Sequence, residues 1–279
     1  MTTKPIIGSM RLGRWGANLR AQQVADLLHE CVQLGLDELD LADIYGDYST
    51  NLLLGEAMAL RPPLRQQLKL ILKLGIVLPA GTCYHYNTSA AALRTGIEQA
   101  LQQLGVTRVD ALLLHRFDHL LDPESLRDTL EPYLRSGQIG CFGASNCSAA
   151  QLAVLARASP LRVHQYQLSL HCHSALELHS ATLALACKTL AWSPLAAGAL
   201  LERRGNPALE KIVSEIASEL ALTPAQVCLR WVHTLPNTSA VIGTHRICRI
   251  SEALIAAERP LSHAHWYALL EAAQGARLP

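Results

Sequence analysis

No C-x-x-C pair occurs among the eight cysteines of this 279-residue chain, which stand apart at 31, 83, 141, 147, 172, 187, 228 and 248. Such spacing excludes the common zinc and dithiol motifs. It predicts reduced thiols used as small hydrophobes, and with them a cytoplasmic protein. Excess charge is also lacking: 24 Lys and Arg stand against 23 Asp and Glu, a formal net charge of +1. With no run of either sign, nucleic acid and anionic membrane surfaces find nothing to hold. Aromatic residues make up only 5% of the chain, too few for base-stacking platforms. No apolar run reaches the ~18 residues of a membrane span. Met1 to Arg11 carries neither the apolar core nor the cleavage pattern of a leader. The first strand-to-helix turn lacks G-x-G-x-x-G, and no Walker sequence occurs anywhere. Without internal repeats, low-complexity tracts or linkers, residues 1–279 read as a single domain.

What is present is apolar and periodic. Half of the residues are hydrophobic, enough for a large core. Short apolar runs predict strands at 4–8, 36–40, 68–73, 109–114, 139–143, 163–168, 189–192 and 240–242. Between them, Val24, Leu27, Leu28 and Cys31 recur at helical spacing, as do Leu93, Ile97, Leu101 and Leu104 ahead of Gly105. Pro62 and Pro63 stop a short helix that starts near Leu52, and Leu176 to Cys187 predicts another. Asp122-Pro123, Ser148 with Gln151, and Thr223-Pro224 with Gln226 are helix-start signals. Strands apolar on both faces and alternating with helices imply a parallel sheet covered by helices. Eight such units in this length predict a closed (β/α)₈ TIM barrel, with an open doubly wound sheet as the alternative.

A barrel of this kind keeps its chemistry where strands end. Asp40 is expected to end the second strand with Tyr45 in its loop, Lys73 the third, and His115 the fourth. Ser145 and Asn146 follow the fifth strand, Gln165 lies in the sixth, Trp192 and Ser193 end the seventh, and Gly243 and Thr244 the eighth. Four of these fit one reaction. A carbonyl reduced by hydride needs a proton on its oxygen, and Tyr45 can supply it. A free phenol has a pKa near ~10, so a neighbouring Lys73 ammonium is expected to lower it. Asp40 would hold Lys73 charged and oriented, and His115 would donate a hydrogen bond to the same oxygen.

The segments D-L-A-D-I-Y-G (Asp40 to Gly46), I-L-K-L-G (Ile71 to Gly75), L-L-L-H-R (Leu112 to Arg116), G-A-S-N (Gly143 to Asn146), A-W-S-P-L (Ala191 to Leu195) and V-I-G-T-H-R-I-C-R (Val241 to Arg249) resemble the aldo-keto reductases. The likeness runs in the family's order and is nearest to bacterial oxidoreductases whose second-strand loop reads H-A-D-I-Y-G. It implies NADPH lying over the C-terminal mouth and Asp40, Tyr45, Lys73 and His115 as the catalytic tetrad. It further implies Ser145, Asn146 and Gln165 on the nicotinamide carboxamide, and Trp192 stacked on the ring. Ser193 and Leu195 would lie along the pyrophosphate, with Thr244, Arg246 and Arg249 at the 2′-phosphate. Two positions depart from the family's adenosine site, which here holds Gly243 and Ala253. The short N-terminus implies that a hairpin closing the barrel bottom is absent or reduced, and the brief segment 198–207 implies a less covered cofactor.

The activity so implied is reduction of an aldehyde or ketone to an alcohol, on a small-molecule carbonyl substrate, by a monomer or weak oligomer. A nicotinamide-binding sensor or regulatory subunit on the same barrel, similar to potassium-channel β subunits, would keep the tetrad and turn over slowly. Met10, Arg11, Trp15, Tyr48, Tyr84, His85, Tyr86, Phe117 and His119 fall in the substrate loops. No metal is expected. His171 and His173 lack a third ligand at recognisable spacing, and His115 and His119 are four apart at a strand end rather than on a helix. His263 and His265 read as a solvated face, Cys141 as core and Cys147 as loop.

Overall fold

In the computed structural model, which describes residues 3–79, 81, 83–200 and 206–278, strands that are apolar on both faces close on themselves. The barrel is formed by β1 (Ile6–Gly8), β2 (Glu38–Ala42), β3 (Lys69–Leu74), β4 (Ala111–Leu114), β5 (Phe142–Ser145), β6 (Leu161–Gln167), β7 (Lys188–Trp192) and β8 (Thr238–Ile242). All eight are parallel and stand in chain order around the barrel. Closure comes from β1 against β8, with Ile6 opposite Val241 and Ile7 opposite Ile242. The expected TIM barrel is therefore the observed one.

The period of two along each strand sorts side chains into two cores. Ile6, Ile71, Ala111, Leu113, Val163, Leu190 and Val241 point inward and fill the barrel. The alternate residues, such as Ile7, Leu39, Leu72 and Leu112, join the inner faces of the helices in the larger outer core. At Gly143 the wall has no room for a side chain: a Cβ would stand 2.4 Å from the Val163 carbonyl oxygen.

Helices α1 (Ala21–Gln33), α2 (Thr50–Leu60), α3 (Ala90–Leu104), α4 (Pro123–Ser136), α5 (Ala149–Leu155), α6 (Leu176–Ala184), α7 (Pro207–Glu219), α8 (Pro224–His233), α9 (Ile247–Ala256) and α10 (His263–Gln274) surround the strands. Their starts follow the sequence signals. Asp122 accepts from Glu124 N and Ser125 N, while Ser148–Gln151 and Thr223–Gln226 form reciprocal capping boxes. Gly105 ends α3 with φ +65°. Among the described residues no single helix is long and apolar enough to cross a membrane, and no group of three or more His, Cys, Asp or Glu could hold a metal.

Several strands begin later than expected, and each delay has a local cause. Leu36 N–H bonds back to Cys31 O, and Gly35, at φ +75°, turns the chain out of α1, so β2 starts only at Glu38. Asp40 is consequently the third of five strand residues and not the last. Val109 and Ile139 make only an isolated bridge, so β4 and β5 begin at Ala111 and Phe142, and Ser145 is the last residue of its strand. The predicted helix to Cys187 stops at Ala184, where Leu185 caps it and Ala186 takes φ +53°. A two-stranded hairpin, Ile76–Val77 against His85–Tyr86, rises from the mouth after β3.

Candidate active site

Tyr45 enters the mouth from an unusual piece of backbone. The residues after it, Gly46, Asp47 and Tyr48, all take left-handed φ, at +58°, +56° and +65°. For a non-glycine residue this conformation costs roughly 1 kcal/mol. A Cβ at Gly46 would also sit 2.7 Å from Thr50 Oγ1, so glycine is required there twice over. Two outside contacts hold the turn. Trp15 Nε1, from the loop after β1, donates to Asp47 Oδ1 at 3.1 Å. Leu78 N, from the hairpin, donates to Tyr48 Oη at 2.9 Å. Tyr45 itself is buried, its ring 6.2 Å from that of Trp15.

Inward-facing positions of neighbouring strands bring the other candidates to it. Lys73 on β3 forms a buried ion pair with Asp40 on β2. Its Nζ lies 5.2 Å from the centre of the Tyr45 ring. His115, directly after β4, meets the Tyr45 ring edge-on at 6.0 Å. All four expected tetrad residues are therefore assembled, each at most 9% exposed. Gln165 adds a contact that spacing could not reveal: its Nε2 donates to Asp40 Oδ1 at 2.7 Å.

Burial governs the charges here. It holds the Tyr45 phenol well above its usual pKa of 10.0, and the carboxylates Asp40 and Asp43 push the same way. The expected lowering by Lys73 is not realised: burial dominates, and the ammonium is engaged by Asp40. Burial likewise lowers the Lys73 pKa, against the pull of Asp40. His115 falls well below 6.5 through burial and the charges of Lys73 and Arg116, so its imidazole is neutral at pH 7. Asp43, overlooked in the sequence, is half-buried, and desolvation pushes its carboxyl up to about 7. Its position three residues after Asp40 in the same segment was the available signal.

Next to His115, on the strands that follow β4, Ser145, Asn146 and Trp192 form one hydrogen-bonded chain. Asn146 Nδ2 donates to Ser145 Oγ at 2.7 Å, and Trp192 Nε1 donates to Asn146 Oδ1 at 2.9 Å. Asn146 holds φ +56° to do so. Gln165, expected beside Ser145 and Asn146, donates to Asp40 and makes no side-chain hydrogen bond to either of them among the described residues. Ser193 begins the next loop at φ +49°, and Leu195 is half-buried. After β8, Thr244 Oγ1 accepts from Arg246 N at 3.2 Å. Arg246 is the N-cap residue of α9 and Arg249 lies in its first turn; both are exposed. Ala253 is 1% exposed and packs in the core. Gly243 is exposed, with only Arg11 Cδ near the place of a Cβ, at 3.9 Å. Cys147 lies in a loop as expected yet is buried, while Cys141 lines the barrel interior half-buried. His265 reaches Glu219 at 3.3 Å instead of standing free in solvent.

A closed barrel with a buried lysine–aspartate pair beside a tyrosine agrees with the sequence relationships. Residues 6–274 match the model of the Aldo/keto reductase family, and the chain belongs to that family. It is 33% identical to the uncharacterized oxidoreductase YcsN of Bacillus subtilis, over 99% of this chain and 96% of that protein. Identity to the oxidoreductase YdhF of Escherichia coli is 32%, over 98% and 94%. An aldo-keto reductase from Klebsiella pneumoniae, solved in complex with NADPH, shares the fold with a TM-score of 0.80 at 23% identity, over 97% of this chain and 90% of that one.

Proposed function

We propose that this chain, a single barrel domain, is an NADPH-dependent oxidoreductase that reduces aldehyde or ketone carbonyls to alcohols. The observation that carries the reading is the buried Tyr45 phenol with the Asp40-paired Lys73 ammonium 5.2 Å from its ring. The donor set suits the cofactor. Arg246 and Arg249 are exposed guanidinium groups at the start of a ten-residue helix, where free N–H groups and the backbone dipole favour a phosphate. Trp192 offers a half-buried ring, and Ser145 and Asn146 offer amide and hydroxyl partners for a carboxamide. The structure solved with NADPH supports the same choice in a relative of the fold.

When bound, NADPH supplies a hydride for the carbonyl carbon. The residues of the chain do the rest. Tyr45, kept protonated by burial, gives its proton to the carbonyl oxygen. The neutral His115 offers an N–H to that oxygen and orients it. Lys73 keeps a positive charge beside the phenol, which offsets the negative charge Tyr45 acquires, and Asp40 fixes Lys73 in place with Gln165 steadying Asp40. One carbonyl, one hydride and one proton give one alcohol.

Tyr45→Phe tests this. Oxidation of NADPH, followed by its absorbance with a reactive aromatic aldehyde, should fall at least ~100-fold, as loss of a general acid does, while NADPH affinity stays within about threefold. Turnover at the wild-type rate would remove Tyr45 as the proton donor.

A further inference from the structure

Arg116 directly follows His115 at the mouth of the barrel and is half-buried. Its positive charge is felt by Tyr45 after β2, Tyr84 in the hairpin, His115 after β4 and Cys147 after β5. Arg116 lies on the rim of the mouth because it directly follows β4 and His115, whose ring meets that of Tyr45 at 6.0 Å. The carboxylates of β2 and of the loops after β2 and β4 are already engaged. Asp40 holds Lys73 and Gln165, Asp43 accepts from Ile44 N, and Asp47 accepts from Trp15. Asp118 takes Thr88 N, Thr88 Oγ1 and Leu120 N. Among the described residues Arg116 forms no ion pair, no side-chain hydrogen bond and no stacking contact, the single cation over a ring being Lys73.

A guanidinium that is half-removed from water and lacks a counter-ion is a binding group for an anion. The phosphates of the proposed cofactor are poorly placed to be that anion. Strand order puts β4, which carries Arg116, diametrically opposite β8, which carries Thr244, Arg246 and Arg249. Beside Arg116 in strand order stand the hairpin after β3, whose Tyr84 and Tyr86 meet edge-on at 5.9 Å, and Tyr45 after β2.

Building on the carbonyl-reductase reading above, we propose that Arg116 selects carbonyl substrates that carry an anionic oxygen group, a carboxylate or a phosphate, within a few bonds of the carbonyl. The carbonyl oxygen meets Tyr45 and His115 while the anionic end pairs with Arg116 in bidentate fashion. A flat or aromatic spacer lies against the tyrosines.

The test compares aldehydes with and without an anionic group: 4-carboxybenzaldehyde against methyl 4-formylbenzoate, and glyceraldehyde 3-phosphate against glyceraldehyde, in wild type, Arg116→Gln and Arg116→Lys. One charge-assisted contact should favour the charged member of a pair by ~10–150-fold in kcat/KM. Arg116→Gln should erase that preference, read as the charged-to-neutral ratio of kcat/KM within each protein, while the NADPH dissociation constant stays within about threefold, and Arg116→Lys should keep part of it. The pair with the larger preference identifies carboxylate or phosphate. Equal kcat/KM for charged and neutral members in wild type overturns the proposal. So does an equal loss of both in Arg116→Gln, which would mean that Arg116 only tunes Tyr45 and His115. If wild type reduces none of the four, the carbonyl-reductase reading fails instead. Calorimetric binding of 4-(hydroxymethyl)benzoate and its methyl ester to the NADP⁺-loaded protein then decides the anion site separately: weaker binding of the carboxylate in Arg116→Gln supports it, and equal affinity in both proteins overturns it.

Discussion

Lowering the pH from 7 to 5 should cost the folded state about 4 kcal/mol through His164 and His233 alone. His164 is fully buried behind β6, its Nδ1 2.8 Å from Thr182 Oγ1 and its Nε2 without a partner. His233, at the end of α8, is also buried, and its Nε2 likewise lacks a partner. Burial moves each from 6.5 to about 4. In the unfolded chain both imidazoles take up protons as the pH falls through 6.5, whereas in the fold they stay neutral until about 4. The unfolded state therefore binds more protons throughout this window. Stability is complete above about 6.5, declines as the pH drops, and levels off below about 4. Between pH 7 and 5 the difference is ~2 kcal/mol for each histidine. Burial of His115 and His179 acts in the same direction and adds to the loss. Urea unfolding at pH 7, 6 and 5 measures it. His164→Gln should unfold more easily at pH 7, since it disturbs the Thr182 contact, but its loss between pH 7 and 5 should shrink by ~2 kcal/mol. A variant that keeps the full wild-type loss would show that His164 is protonated in the fold, and the reasoning from burial would fail.

Two further outcomes concern the proposed cofactor. Arg249→Ala, and less strongly Arg246→Ala, should weaken NADPH by ~10–150-fold while NADH binds almost as before; equal losses for both cofactors in a titration would mean that neither guanidinium reads the 2′-phosphate. Tryptophan fluorescence should fall when NADPH binds, and Trp192→Phe should remove most of that fall, an undiminished quench placing the nicotinamide away from β7.

Legibility from the sequence followed the range of each interaction. The helix starts at Asp122, Ser148 and Thr223 were readable because cap and backbone donor lie within three residues of each other. The barrel was readable because strands apolar on both faces admit few other arrangements. Asp40, Tyr45, Lys73 and His115 were nameable because their segments resemble one family, and the inward parity of β2, β3 and β4 then brings them together. The Gln165–Asp40 contact spans 125 residues and left no local trace. The two-residue strands of the hairpin are too short for any period to register. Strand starts drifted because helix-end bonds, such as Leu36 N to Cys31 O, claim groups that an apolar pattern assigns to a strand. The direction of the Tyr45 shift differs from the expectation for another reason: spacing brings an ammonium near, but the exclusion of water and the grip of Asp40 on that ammonium arise only in the folded barrel.

The closing pair of the barrel, Ile6 against Val241, joins positions 235 residues apart. During synthesis β1 has one of its two neighbours within about thirty residues, in β2, but its other edge must wait for β8 to leave the ribosome. At 5–20 residues per second that wait lasts roughly 10–50 s. Throughout it the half-built sheet has two open edges, one on β1 and one on the newest strand, each able to pair with a foreign chain. Three residues of β1 carry the whole burden of ending that exposure. A Pro substitution at Ile7 would thus be felt first as aggregation of the nascent chain, before any loss in the finished barrel.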